Sequence, residues 1–301
     1  MSENTTPFTP TNRIVSKQLW QAHLVMKLPG QSRKDEGLSD DVTTRHEMAQ
    51  DSAIVTKRLF VKALKPLKTA YTRTRNAFRE MTHEFLGGVH CVVDAEREQL
   101  SQMMASYHAI YVTLRDAFIA DYPSILEVER LEKGDAFKEG DYPSAAALAD
   151  KFGFEFAAMP LPLPNQFVRG VLTAEIEEKM AAEFSARVQN TERAIVQKTS
   201  NTVLSLVSEV AEVLADKERR LSDSEGRKSC LAKLEAYIQR IPQLNITNDP
   251  ELNALYTAVK ERLDVTTAQI REDDGLRELA AANALNIALK FGNMMNRRIA
   301  A

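Results

Sequence analysis

Apolar Trp20, Ala22, Leu24, Met26 and Leu28 are separated by Gln21, His23, Val25 and Lys27, the period of a strand with one buried face. Pro29 and Gly30 end that run, and Gln31 to Asp41 reads as a charged loop. Val89 to Val93 is a short β-branched run, and Phe152, Phe154 and Phe156 alternate with Gly153 and Glu155. These three stretches predict a small sheet. Elsewhere the period is helical. Leu100, Met103, Met104, Tyr107, Ile110, Tyr111, Leu114 and Phe118 share one face, with Asp94 as the expected N-cap. Cys230 to Ile241 predicts a shorter helix stopped at Pro242. Asp249-Pro250-Glu251 opens another, which carries Leu252, Leu255, Val259, Leu263 and Ile270 inward. Asp273-Asp274-Gly275 then precedes a last helix from Leu276 to about Arg298, where Asn283, Asn286, Asn293 and Asn296 mark a solvated side or a polar interface.

The longest uninterrupted stretch runs from Val171 to Glu225. Between Gly170 and Gly226 there is neither glycine nor proline, so nothing punctuates a helix of up to about 80 Å. A rod of that length acts as a spine for other helices. Leu172, Ile176, Met180, Phe184 and Val188 recur every four residues, whereas Ile195, Val203, Leu206, Val207, Val210, Val213, Leu214 and Leu221 keep to one face. Neither part has the spacing of a dimeric coiled coil, which favours a multi-helix bundle. Gln197 to Thr202 has poor helix propensity, and Ser200 or Asn201 offers a cap, so one kinked rod and two helices both fit.

The sharpest charge pattern lies between Ser52 and Arg79, which holds no Asp or Glu. Lys57, Arg58, Lys62, Lys65, Lys68, Arg73, Arg75 and Arg79 fall within an arc of roughly 160° on a helical wheel, opposite Leu59, Phe60, Ala63, Leu64, Leu67, Ala70, Tyr71 and Phe78. This predicts a basic amphipathic helix over 57–79. Pro66 interrupts it or stands at the first turn of a helix that begins there. Such a face binds phosphates or an acidic partner, or it pairs within the fold with acidic Glu127 to Asp141. No aromatic residue lies in the basic arc to stack single-stranded bases. Phe85-Leu86-Gly87-Gly88 is expected to cap this helix, leaving about seven residues before the next and so an antiparallel helical hairpin.

Composition narrows the class. With 301 residues, 44% hydrophobic, 27% charged and only 11 Gly and 11 Pro, the chain has a core and few turn residues, so the fold expected is mainly α: an elongated helical bundle around a long central helix, with a small β-sheet in the N-terminal half. Residues 1–12 read as a disordered tail, 13–165 as an α/β part with the helical hairpin, and 166–301 as the long-helix part. Pro160-Leu161-Pro162-Leu163-Pro164 makes a stiff crossing between the last two. A net charge of -3 leaves any attraction to nucleic acid to a local patch. Cys91 and Cys230 form no ligand spacing and fit a reducing, cytoplasmic setting. His83, His90, Cys91 and His108 cluster in sequence but match no zinc motif. No run of about 20 apolar residues predicts a membrane span. Phosphate-binding, nucleophile-elbow, metalloprotease and dithiol motifs are absent, and neither a catalytic residue, a cofactor nor a metal is expected.

The strand containing Trp20, the Ala63-Leu64-Lys65-Pro66 helix start, the Phe85-Leu86-Gly87-Gly88 turn, Phe152-Gly153-Phe154 and the proline crossing together resemble the bacterial and phage family known as domain of unknown function 3150, over most of residues 13–290. Members occur beside genes for MoxR or cobaltochelatase-type AAA+ ATPases and von Willebrand A-type proteins. The resemblance therefore implies a non-catalytic partner of such machinery, and it supplies no catalytic residue. Two functions follow as expectations. One is a helical adaptor or structural subunit working with an AAA+ ATPase, and the other is a nucleic-acid-binding protein using the basic face.

Overall fold

A computed structural model describes residues 19–49, 52–161, 174–216 and 229–300. In chain order the elements are β1 (Leu19–Lys27), β2 (Ser32–Lys34), α1 (Glu36–Arg45), β3 (Thr56–Arg58), α2 (Lys65–Met81), β4 (His83–Leu86), β5 (Val89–Val93), α3 (Asp94–Ala120), α4 (Tyr122–Lys133), α5 (Ala145–Ala149), β6 (Gly153–Pro160), α6 (Ala174–Ala215), α7 (Cys230–Ile238), α8 (Ile241–Leu244), α9 (Pro250–Arg262), α10 (Thr267–Glu272) and α11 (Asp274–Ala300). The chain is mainly helical, with a small antiparallel sheet in its N-terminal half.

The three predicted strands meet in that sheet, whose order is β4-β5-β1-β6. Val92 lies opposite Trp20 on one side of β1, and Phe156 lies opposite Leu24 on the other. Trp20, Ala22 and Leu24 point to the face covered by α2 and α3, where they join Phe78, Met81, Leu100 and Met104. Leu19, Cys91 and Val93 point to the opposite face and pack on Val188 and Ile195 of α6 and Leu244 of α8. The sheet is thus covered by the α2–α3 pair on one side and the long helix on the other. The Tyr111 hydroxyl ties the sheet end together, donating to the Lys27 carbonyl at 2.6 Å and accepting from the Gly153 N–H at 3.1 Å.

The α2–α3 connection differs from the expected one. Both ends of the two helices pack antiparallel, Phe78 and Met81 beside Leu100 and Met104, and Leu64 and Leu67 beside Tyr111 and Phe118. Their link, however, is the β4–β5 hairpin. Gly87 (φ 45°) and Gly88 (φ 89°) form its turn and do not cap the helix, because two successive positive φ angles suit the twist of a hairpin. Asp94 likewise opens α3 as its first residue while Val93 holds the cap position; it pairs with Arg97 at 3.5 Å, where a carboxylate favours the positive end of the helix.

The long helix α6 is single and has 42 residues, about 63 Å at 1.5 Å per residue. Gln197 to Thr202 does not break it. Thr199 and Thr202 return their hydroxyls to the Ile195 and Lys198 carbonyls at 2.8 Å, and Val196, Thr199, Ser200 and Val203 are buried. Tertiary packing here outweighs weak propensity. Within the described residues the helix runs to Ala215. Residues 171–173 and 217–225 of the predicted rod, the 1–12 tail, the 165/166 boundary and Pro162 to Pro164 of the crossing lie outside the described residues.

Against α6 lies α11, antiparallel to it, burying Ala280, Ala284, Ile287 and Phe291 with Val203, Val207, Val210 and Leu214. The valines, Leu214, Ile287 and Phe291 contribute about 1.5–3 kcal/mol each, and the two alanines let the helices approach closely. Arg277 locks the pair by donating to the carbonyls of Leu214, Val213 and Asp216 at 2.9, 3.2 and 2.6 Å, placing a cation on the negative end of α6. α7, α9 and α10 complete this core through Leu234, Ile238, Leu252, Leu255, Val259 and Ile270. Asp249 caps α9 as its sequence predicts, accepting from the N–H groups of Glu251 and Leu252 at 3.0 Å. Ile270 belongs to the separate α10, which opens with a Thr266/Gln269 capping box. Of the four asparagines on α11, Asn283 donates to the Arg262 carbonyl at the end of α9, and Asn286 and Asn293 are exposed.

Candidate functional site

The eight basic residues of the 57–79 stretch do not lie on one helix. Lys57 and Arg58 are in β3, Lys62 is in the turn that follows, and only Lys65, Lys68, Arg73, Arg75 and Arg79 are on α2. Pro66 in the first turn fixes the start of α2, where its missing N–H costs nothing. Phe60 breaks continuity on the other side, with φ at 56°.

Two of the eight are engaged inside the fold. Lys57 is 8% exposed; its ammonium lies 2.9 Å from Asp35 Oδ2 and 2.6 Å from Asp141 Oδ2, and donates to the Ala136 carbonyl at 2.8 Å. It is a buried hub joining β3 to α1 and to the 134–141 connection. Lys62 pairs with Glu132 at 2.5 Å on the surface. Exposed pairs of this type add about 0–1 kcal/mol, and this one sets a carboxylate beside Lys62 that offsets its charge.

The remaining cations on α2 are exposed and form a track. At about 100° per residue, Lys65, Lys68, Arg75 and Arg79 fall within roughly 80° of one another, and Arg73 stands about 80° farther round. Arg75 donates to the Tyr71 hydroxyl at 2.9 Å and lies over its ring. Lys65, Lys68, Arg73 and Arg79, with Arg58 of β3, make no side-chain ion pair among the described residues. Leu67, Ala70, Phe78 and Met81 hold the helix down from its other face, and Thr74 is buried among them with its hydroxyl returned to Ala70.

At its C-terminal end the track meets α6. Lys198 donates to the carbonyls of Arg79 and Thr82 at 3.3 and 3.2 Å, supplying a cation to the negative end of α2. Lys198 also lines an open groove of about 550 Å³ along α6, together with Ala194, Gln197, Asn201, Thr202, Ser205 and Leu206. Sequence reasoning passed over Lys198, because its position beside α2 is set by sheet packing and leaves no local signal. Burial holds the His83 imidazole down to about 3, helped by Lys198 and Arg240. Burial also lowers the His90 pKa, with Arg79, Lys198 and Arg75 adding to the effect against Glu84.

The histidines and cysteine near this junction serve the fold. His90 shares a hydrogen bond with the Thr82 hydroxyl at 3.1 Å and meets the Phe78 ring edge-on, while His108 lies against Phe154. Cys91 is fully buried, and desolvation pushes its thiol up to about 12. Among the described residues, no group of three or more His, Cys, Asp or Glu side chains is placed to hold a metal ion. Among the described residues, no helix is long and apolar enough to cross a membrane. Comparison with family models, with curated proteins and with solved structures found no match.

The Lys57 hub sets a pH signature. The hydrogen bond from Lys57 holds Asp35 below the ordinary carboxylate value, so its contribution is present above about pH 4 and is lost as pH falls through the lower folded value. For Lys57, desolvation opposes the charge but the bonds to Asp141 and Asp35 outweigh it and raise the pKa. Its contribution is therefore present below about pH 10 and lost as pH rises through the higher folded value. In Lys57→Met the two carboxylates lose the ammonium they share and keep only the longer pairs to Lys138 at 3.7 Å and Arg33 at 3.9 Å, so protonation then favours the folded state. The urea midpoint of the variant is expected to climb from pH 7 to pH 5, while the wild-type hub contributes equally at both. Parallel pH profiles for the two proteins would contradict this arrangement.

Proposed function

We propose that the protein is a non-catalytic interaction protein, a helical subunit or adaptor that docks through the outer face of α11 onto an AAA+ ATPase. The observation that carries this reading is the split character of that helix. Its inner stripe is buried on α6, yet Leu279, Leu285 and Leu289 on the outer side remain 58%, 53% and 57% exposed. At about 100° per residue the three leucines fall within roughly 120° of one another, a width suited to a helix-in-groove contact. Clustered apolar exposure of this kind favours a partner. The ATPase as partner rests on the resemblance to domain of unknown function 3150, as does an origin in a bacterial cell or a phage-infected host. An elongated bundle built on the 63 Å spine and a reducing cytoplasm, with Cys91 and Cys230 as buried free thiols, are in keeping with that role.

The reading is tested by capture of the cognate MoxR or cobaltochelatase-type ATPase on immobilised protein. Leu285→Glu with Leu289→Glu should weaken capture at least about 10-fold while leaving the helical circular dichroism unchanged, since these side chains make no core contact. Capture that is absent for the wild type, or equal for the variant, removes the proposal.

A further inference from the structure

The docking face on α11 leaves the cationic track of α2 without a role. We propose that this track and the groove it meets on α6 form one continuous binding surface for the sugar–phosphate backbone of double-stranded nucleic acid.

Charge complementarity carries the argument. Lys65, Lys68, Arg75 and Arg79 stand along one side of a rigid helix over about 21 Å, and Arg73 flanks them. A duplex presents one negative charge per about 1.7 Å of axis, so a stripe of this length faces several phosphates at once. Between the cations stand exposed Thr69, Thr72 and Asn76, with Glu80 as the one carboxylate of α2 near its C-terminal end, and the α6 groove adds Gln197, Asn201, Thr202 and Ser205. Hydroxyl and amide side chains of this kind make the uncharged contacts to phosphate and sugar that fix a protein on a duplex. Lys198 joins the two parts. Two of its N–H groups reach the Arg79 and Thr82 carbonyls, and an ammonium carries a third.

The chemistry favours a duplex over other anionic partners. An acidic peptide docking between proteins needs apolar anchors, and the apolar side chains of α2 are turned into the core. Single strands need free aromatic platforms. Tyr71 stands beside the cations of α2, and Arg75 already occupies it through its hydroxyl and its face. The same geometry separates cations that bind from cations that do not. Lys57 is buried on two carboxylates, and the charge of Lys62 is offset by Glu132 beside it, so neither adds to the track.

The experiment is fluorescence anisotropy of the full chain with a labelled 20-base-pair duplex at 50 and 200 mM salt. With about four phosphate contacts, affinity should fall about 100-fold between the two salt concentrations. Lys65→Gln/Lys68→Gln/Arg79→Gln should weaken binding at least about 10-fold at 50 mM and flatten the salt dependence by nearly three contacts. Lys62→Gln should leave affinity within about 2-fold. Asn201→Ala/Ser205→Ala should weaken binding with the salt slope unchanged, as expected for uncharged contacts. All the substituted side chains are exposed, and matching thermal melts establish that each variant is folded. No binding at 50 mM overturns the proposal. So does binding that the triple substitution leaves unchanged, or tighter binding to poly-glutamate than to the duplex, which would make the track a site for an acidic protein.

Discussion

Phe60→Ala should destabilise the protein by about 4 kcal/mol in urea unfolding, within the range of about 3–5 kcal/mol for removing a buried phenylalanine ring. The Phe60 side chain is fully buried and meets Phe118 at 5.7 Å, Tyr122 at 5.9 Å and Tyr142 at 5.3 Å between centroids, two of these edge-on. The same cluster holds Leu59, Leu64 and Leu67 from its own segment, and Leu148 and Phe152 from α5 and the residue before β6. No single element can relax inward to close the gap, which places the expected cost away from the low end. The backbone is equally constrained: its N–H donates to buried Glu129 Oε1 at 3.1 Å, and Glu129 also accepts from the Tyr142 hydroxyl at 3.0 Å and from Lys133. Since φ is 56°, a position costing a side-chain-bearing residue about 1–2 kcal/mol, Phe60→Gly should be no less stable than Phe60→Ala. That reverses the usual order of the two residues. A loss below about 1 kcal/mol for Phe60→Ala would show that the cluster repacks around the gap.

The same region shows what the sequence could and could not disclose. Strands β1, β5 and β6, the Asp249 cap, the apolar faces of α3 and α9 and the span of α11 were legible, because each depends on a period of two or 3.6, a β-branched run or a cap a few residues long. The basic stretch was legible as composition and misleading as geometry. On a wheel all eight cations share a face, but the wheel presumes an unbroken helix, and Phe60 takes a left-handed conformation that no local pattern announces. Lys57 looks like its neighbours in sequence, yet it is a buried structural ion whose carbonyl partner at Ala136 lies 79 positions away. Its acidic partner Asp141 does fall within the Glu127 to Asp141 segment, as does Glu132 opposite Lys62, so pairing within the fold takes part of the charge and leaves the α2 track. In the spine, Gln197 to Thr202 reads as weak helix because propensity is local. The burial of Val196, Thr199 and Val203 that holds it depends on α11 and the sheet, far off in the chain.

Arg240→Ala should cost about 3 kcal/mol and act on both halves of the molecule. Arg240 follows α7 and forks onto Glu96 in the first turn of α3, Nε to Oε1 at 2.6 Å and Nη2 to Oε2 at 3.1 Å, across 144 positions of sequence. Glu96 is 1% exposed, so removing the guanidinium leaves a carboxylate that has already given up its water, and breaking such pairs costs about 3–5 kcal/mol. Glu96 keeps a favourable position at the positive end of α3, which sets the expected value at the lower limit. Replacing both partners, Glu96→Leu with Arg240→Met, removes the unpaired charge along with the pair. The double variant should therefore recover about 2 kcal/mol relative to Arg240→Ala, a coupling that a double-mutant cycle reads directly. The junction also touches the proposed binding surface. Arg240 is one of the groups that lower the Lys198 pKa, after desolvation, and it helps to hold His83 neutral. In Arg240→Ala the lysine should therefore titrate higher and keep its charge more firmly, while α7 loses its anchor to the N-terminal half. Hydrogen exchange should then quicken more at α7 and the first turn of α3 than in α2, where only the loss of global stability acts. Uniform quickening throughout would instead mean that the pair supports global stability without coupling the two halves.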